Sequence, residues 1–442
     1  MTEALHVLGP RALNDGDVFS PVAVDALGLP RAGAGAVPTP ARGAGALPGP
    51  RPHGLFRLST ATRQVRDVAH GWLHHRAPHD TAHREAEEAL LHEAESSALL
   101  RPPVQQRAAA MDEELAEIFL SVALHWLEVA DFQHDPRYTN AALKLIGCSL
   151  LSGRAAGRSQ LAATALDAAV HALAGVVVPP LAAPAAAEDL LAPIQDHAGT
   201  GNPAPQDRAI AVLAGAGSTG LPLFLDAAHR SGVRIRGVLE HSPAPGGALL
   251  DSAYARAWYP GEEPRTQRRT VPEPPAVPSR HLLAHGDWDA AARLLGQWRT
   301  GLLVLLGMDI VPSTVLDVPT AATVNAHNGE LPSFRGMDAV AWARLAGHHP
   351  VCTVHRVEKA VDAGAVLASA AAPLDGGDSR SAVKDTQIAL LVRTAAHYAA
   401  TGSVPVGLRQ DHAAARRWYR MHPALRRVLD RYPTHPTHPE EQ

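Results

Sequence analysis

Apolar residues recur at three- and four-residue spacing through Leu115, Ile118, Phe119, Val122, Trp126 and Val129, a period that predicts an amphipathic helix with one buried face. A break at His134, Asp135 and Pro136 ends it. A second helix is expected after the break, capped by Thr139, with Leu143, Ile146 and Leu150 on one face. The stretch 61–175 therefore reads as a helical domain. It is flanked by segments rich in Pro, Gly and Ala, 1–60 on one side and a linker at 176–207 on the other, which hold too few large side chains to offset the entropy of ordering them.

Past the linker the pattern becomes α/β. The run Ala209 to Leu213 meets the turn GAGSTG (Gly215 to Gly220), an amphipathic stretch follows, and Val233 to Glu240 is a second apolar run. Pro260 to Pro278 reads as a loop, Trp288 to Trp298 as a helix, and Gly301 to Gly307 as a strand buried on both faces. The strand TAATVNAH comes next. After Pro373, Asp378 or Ser379 can cap a helix with Ile388, Leu391, Val392 and Ala395 on one face, and Asp411 to Tyr432 reads as a second, basic helix. The expected organisation is thus an α/β domain over 208–375, a helical C-terminal extension over 376–432 and a disordered tail at 433–442.

At 442 residues the chain exceeds one ordinary core. Its formal charge of −4, from 40 basic and 44 acidic side chains, makes no field that would gather polyanions and argues against nucleic acid as a partner. Cys148 and Cys352 lie far apart and support neither a disulfide framework nor a metal knuckle. His70, His74 and His75 lack a carboxylate at a ligand spacing, so no metal is expected. The absence of an apolar run near the roughly 20 residues of a membrane span, and a start without a basic segment before an apolar one, predict a cytoplasmic protein with no membrane partner. Homo-oligomerisation is left open.

Gly215, Gly217 and Gly220 follow a strand and precede a helix, with Glu240 at the end of the next strand, which is the spacing of a dinucleotide fingerprint. A dinucleotide-binding oxidoreductase is one reading; an anion site for another ligand, at Gly215, Gly217 and Ser218, is a second; a tight structural turn is a third.

The segment Val324 to Ser369 carries more. It contains Asn325 and His327, Leu331 and Pro332, Arg335 and Gly336, Trp342, His355, and Asp362 with Gly364. These spaced elements resemble the signature of the formyltransferase family that includes glycinamide ribonucleotide, methionyl-tRNA and sugar N-formyltransferases. The resemblance covers roughly 207–375 and implies a Rossmann-like catalytic domain. It also implies transfer of a formyl group from 10-formyltetrahydrofolate to a primary amine, with Asn325, His327 and Asp362 as catalytic residues. Met308, Ile310, Val311, Glu358, Val361 and Gly364 are implied as folate contacts.

The residue types suit that chemistry. Attack of an amine on a formyl carbon makes a tetrahedral centre with an oxyanion, which needs donors, and releases a proton, which needs an acceptor. Asn325 offers an amide; His327 can donate when protonated; Asp362 close to His327 would raise its pKa and can hold a water that relays the proton. Residues two apart on a strand share a face, which suits Asn325 and His327. A hydrolase with water as acceptor would use the same three residues.

Asn328 and Gly329 stand where many family members carry proline after the histidine, a change expected to loosen the entrance. With Arg335 they are candidate substrate contacts, although Arg335 reads better as a brace for the loop. Trp342 and His355 read as packing residues around the centre. The acceptor expected is a small or carrier-bound amine, since the chain after 375 is too short and helical for the C-terminal barrel of the initiator-tRNA enzymes.

Overall fold

The structure, a computed structural model, describes residue 91 and residues 113–129, 135–151, 159–182, 208–242, 273, 275–308, 310–374 and 379–430. The expected segments 1–60 and 433–442, the histidines near Trp72 and most of the 176–207 linker lie outside them. The chain divides into two compact units, one of 1–177, 249–265 and 421–431, the other of 178–248, 266–420 and 432–442. No described helix is long and apolar enough to cross a membrane.

In the first unit, α1 (Glu113–Val129), α2 (Pro136–Leu151) and α3 (Ser159–Ala174) pack together. Ile118, Phe119, Val122 and Trp126 of α1 are buried, with Leu143 and Ile146 of α2 and Leu166 of α3. The helix α2 begins earlier than expected. Its cap is Asp135, whose Oδ1 accepts from the Arg137 amide at 3.1 Å, and Pro136 takes the first helical position, where a missing N–H costs nothing. Thr139 is buried in the first turns instead of capping.

The second unit is built on a seven-stranded sheet. Its strands are β1 (Ala209–Gly215), β2 (Ile235–His241), β3 (Arg280–Leu283), β4 (Thr300–Leu306), β5 (Ala322–His327), β7 (Val351–Arg356) and β8 (Val366–Ala371). The order is β3-β2-β1-β4-β5-β7-β8. The first five are mutually parallel, and β7 and β8 close the far side antiparallel. The unit is a parallel-dominated, Rossmann-like α/β domain. Every residue of β4 is buried, as a central parallel strand covered on both faces should be.

On one face α4 (Gly220–Arg230) and α8 (Ser379–Thr401) cover Val212, Val304, Val324, Ala326 and Val354; on the other, α5 (Trp288–Gln297) and the short α6 (Ser313–Leu316) cover Leu213, Leu303 and Leu305. Asp287 caps α5, accepting from the Ala290 amide at 3.3 Å. Strand order reverses between β1 and β4, so a crevice opens at the carboxyl ends of the strands, where ligands bind in sheets of this kind.

A second, two-stranded sheet pairs β6 (Arg335–Gly336) with β9 (Arg417–Trp418), in parallel. The basic helix expected from Asp411 to Tyr432 is therefore confined to α9 (Pro423–Asp430), which belongs to the first unit. Two causes explain the difference. Trp418 is drawn into extended pairing because its ring is buried against Phe334 and Trp342, and Pro423 fits a first helical turn, not an interior.

Candidate active site

Strand parity decides which side chains of β5 meet the core. Val324 and Ala326 point into the cluster beneath α8, so Asn325 and His327 share the opposite face at the carboxyl end of the strand. Asn325 is half-buried, and its amide has no protein hydrogen-bond partner among the described residues. His327 is 8% exposed. Across the antiparallel ladder Asn325 lies opposite His355, and His327 opposite Thr353.

Asp362 arrives from the loop after β7 in a left-handed conformation, φ 52°, which few residues other than glycine adopt. Its Oδ2 accepts from the Gly336 amide at 3.0 Å and lies 3.5 Å from His327 Nδ1. Its Oδ1 lies 3.5 Å from His355 Nε2. The far nitrogens of both rings are engaged by main-chain carbonyls: His327 Nε2 donates to Phe334 at 2.6 Å, and His355 Nδ1 to Arg356 at 2.8 Å. A carbonyl can only accept, so each ring carries its proton on the far side and turns its other nitrogen toward the carboxylate.

The Phe334 carbonyl is held by an aromatic cluster. The rings of Phe334 and Trp418 stack at 5.5 Å, and those of Trp342 and Trp418 lie at 4.9 Å. Trp342 Nε1 donates to the Tyr419 carbonyl at 2.7 Å, and Trp418 Nε1 to that of Ser333 at 2.8 Å. Trp342, on α7 (Ala339–Leu345), is fully buried. Packing of the 331–335 loop thereby sets the tautomer of His327.

Burial has the largest effect on His327 and lowers its pKa below the ordinary 6.5; Asp362 and the Phe334 carbonyl oppose that, and His355 adds to it. Asp362 raises the His327 pKa by favouring the imidazolium, as expected from the sequence, but desolvation outweighs it and the net shift is downward. For Asp362 burial again acts most strongly, upward. The contact with His355, the charges of His327 and His355, and the Gly336 amide together overcome it and hold the carboxyl at about 2. At neutral pH the centre is a carboxylate beside a neutral His327 whose Nδ1 lone pair faces it. A proton arriving at Nδ1 would turn that contact into an ion pair.

The residues implied as folate contacts fall on two loops. Met308, Ile310 and Val311 follow β4; Ile310 is 80% exposed and Val311 buried. Val361, 45% exposed, adjoins Asp362, with Glu358 earlier in the same loop. Gly364 lies so close to the Arg356 carbonyl that a Cβ would overlap it. Ile310 and Val361 thus offer apolar surface on two loops.

The GAGSTG turn sits at the carboxyl end of β1. A Cβ on Gly215 would stand 2.7 Å from the Gly307 carbonyl, and Gly217 has φ 78° with open space around it. The Ser218 amide closes the turn onto the Gly215 carbonyl at 2.9 Å. Lys384 of α8, unremarked in the sequence, reaches this turn: its Nζ lies 3.7 Å from where a Cβ on Gly220 would be, and burial lowers its pKa. Glu240 is paired with Arg280 at 2.7 Å.

Gly329 does not loosen the entrance. It is buried, and a Cβ there would stand 2.7 Å from both the Phe334 carbonyl and Ala339, and 2.9 Å from His327 Nε2. Glycine is present for space, which lets the loop close over the imidazole. Asn328 is exposed, and the Leu331–Pro332 bond is cis. Arg335 donates through Nε and Nη2 to Gln410 Oε1 at 3.0 and 2.6 Å. Gln410 is the residue at the centre that sequence reasoning missed, and His355, read from the sequence as packing around the centre, also brings Nε2 to 3.5 Å from Asp362.

Residues 286–390 match the model of the formyl transferase family. The chain is 31% identical over 153 residues to methionyl-tRNA formyltransferase from Rhizorhabdus wittichii, covering 34% of this chain and 46% of that protein. It is 34% identical over 99 residues to the enzyme of the same name from Novosphingobium aromaticivorans, covering 22% and 33%. The chain spans less than half the length of these curated relatives. Among solved structures, phosphoribosylglycinamide formyltransferase from Anaplasma phagocytophilum matches at 25% identity over 42% of this chain and 81% of that one, with a TM-score of 0.29.

Proposed function

We propose, from the premise that residues 286–390 belong to the formyl transferase family, that the protein transfers the formyl group of 10-formyltetrahydrofolate to a primary amine of a small or carrier-bound metabolite. The observation that carries the reading is the placement of Asn325, His327 and Asp362. An unpartnered amide and a buried neutral imidazole share one face, with a carboxylate 3.5 Å from the imidazole.

The roles follow from that arrangement. The formyl donor is a substrate, and the exposed apolar side chains of Ile310 and Val361 offer a flat ring apolar surface on two loops. Asn325 donates its amide to the formyl oxygen as negative charge develops there. The attacking amine gives a proton to His327 Nδ1, and Asp362 stabilises the imidazolium as it forms. The same proton then passes to the folate nitrogen as its bond to carbon breaks. His327 Nε2 stays on the Phe334 carbonyl throughout.

No nucleophile on the protein is required. Cys352, the cysteine of the α/β unit, is buried, donates to the Val383 carbonyl at 3.3 Å, and has a pKa pushed up to about 12 by burial, so direct attack by the amine is the route the residues support. The test is incubation of the purified protein with 10-formyltetrahydrofolate and a panel of amines, following folate release and formylated product. Amine-dependent release with a mass gain on the amine supports the proposal. Release that needs no amine would assign a hydrolase instead.

A further inference from the structure

We infer that Gln410 is a positioning residue for the reaction centre, a buried carboxamide that ties the main chain at Asp362 to the strand that grips the Asp362 carboxylate. Gln410 is 8% exposed. Its Nε2 donates to the carbonyls of Asp362 at 2.9 Å and Gly364 at 2.6 Å, and its Oε1 accepts both Nε and Nη2 of Arg335 at 3.0 and 2.6 Å. Two donors and two lone pairs are the full capacity of a carboxamide, and all four are used. The orientation is chemically forced: arginine offers only donors and the two carbonyls only acceptors, so a flipped amide would lose all four bonds.

The bonds close a circuit around Asp362. Its carboxylate accepts from the amide of Gly336 at 3.0 Å, while its carbonyl is reached through Gln410 from Arg335, the residue before Gly336. Both ends of Asp362 are thereby referred to the same two-residue strand, β6. Such a clamp has work to do, because Asp362 occupies a left-handed conformation, φ 52°, that a non-glycine residue leaves when its surroundings permit. Gln410 is itself anchored: Leu408, two residues earlier, exchanges main-chain hydrogen bonds with Val366 of β8 at 2.8 and 2.9 Å. It lies 48 residues beyond Asp362 and outside the 286–390 family match.

The inference rests on the formyl-transfer reading for its kinetic consequence but not for its structural one, and the test separates them. Gln410→Met keeps the length of the side chain and removes all four hydrogen bonds. Gln410→Asn keeps a neutral carboxamide but shortens it by one methylene so that it cannot span Arg335 and the Asp362 and Gly364 carbonyls together, adds no charge, and serves if the methionine variant does not fold by thermal unfolding. In the full-length protein the ring C–H resonances of His327 are titrated by NMR. The groups facing His327 are Asp362, from the loop, and His355, from β7. Asp362 holds the imidazole pKa up, so Asp362→Asn lowers it, and the Gln410 variant is expected to lower it by at least half as much.

In turnover, Gln410→Met is expected to reduce kcat about tenfold with KM for donor and amine within about twofold of wild type. It should cause no further loss in an Asp362→Asn background. A folded Gln410 variant that leaves the His327 titration where wild type has it, or that loses activity equally with and without Asp362, overturns the inference. If the wild-type protein transfers no formyl group, the proposed function fails, and the titration still decides the role of Gln410.

Discussion

Asn325 and His355 face each other across the β5–β7 ladder, and His355 Nε2 reaches Asp362 Oδ1 at 3.5 Å, the same separation as His327 Nδ1 from Oδ2. The carboxylate is therefore flanked by two imidazoles from two adjacent strands. His355 is 2% exposed, which fits a side chain that acts through Asp362 without meeting substrate. Replacing His355 by Phe keeps a ring in place and removes the contact. The expected outcome is a kcat lower by about tenfold, with KM little changed, measured by steady-state kinetics.

Acid sensitivity should follow two groups with opposite chemistry and the same sign. The Asp362 pKa falls from an ordinary 3.8 to about 2 on folding, so its contribution is fully present above 3.8 and is lost as pH falls through about 2. That contribution is on the order of 2 kcal/mol at most. His327 has a folded pKa below 6.5, so the unfolded chain binds its proton more readily and stability declines as pH drops below that value. Urea unfolding from pH 7 to pH 2 should show Asp362→Asn losing less stability than wild type below pH 4.

Turnover should fall on the acid side with a midpoint below 6.5, because His327 must be neutral to accept a proton at Nδ1. In Asp362→Asn the charge that raises the His327 pKa is gone, so the midpoint moves to lower pH while the plateau drops. A midpoint above 6.5 in the wild-type pH–kcat profile would mean that His327 works as the imidazolium.

Gly329→Ala puts a methyl 2.7 Å from the Phe334 carbonyl and 2.9 Å from His327 Nε2. The carbonyl belongs to the loop packed on Trp418, and the imidazole is tied to that same carbonyl through Nε2 at 2.6 Å, so the methyl displaces both together. The variant should lose about 1–3 kcal/mol of stability and most of its activity. Chemical denaturation and a turnover assay test the two parts separately.

Much of the centre was legible from period and spacing. A buried strand ending in Asn325-Ala326-His327 puts both polar side chains on one face by parity alone, and the helical face of Ile388, Leu391, Val392 and Ala395 is buried as its spacing requires. Edge strand β3 was not legible: Arg280, His281 and Leu282 are exposed, so no apolar alternation marks the strand. The role of His355 depends on register between β5 and β7, and that of Gln410 on a contact 48 residues long. Local pattern carries neither. The sign of the His327 shift depends on how deeply the loop covers it, which again is a tertiary quantity.

The central claim is that Asn325, His327 and Asp362 form one reaction centre for formyl transfer, and single-turnover transfer from 10-formyltetrahydrofolate to the accepted amine tests it most directly. Asn325→Ala, His327→Ala and Asp362→Ala, each folded by circular dichroism, should slow the chemical step by about a hundredfold or more. The triple variant should be scarcely slower than the worst single one, because groups acting as a unit do not lose their contributions additively. Near wild-type transfer in all three single variants would contradict the account and move the chemistry elsewhere on the chain.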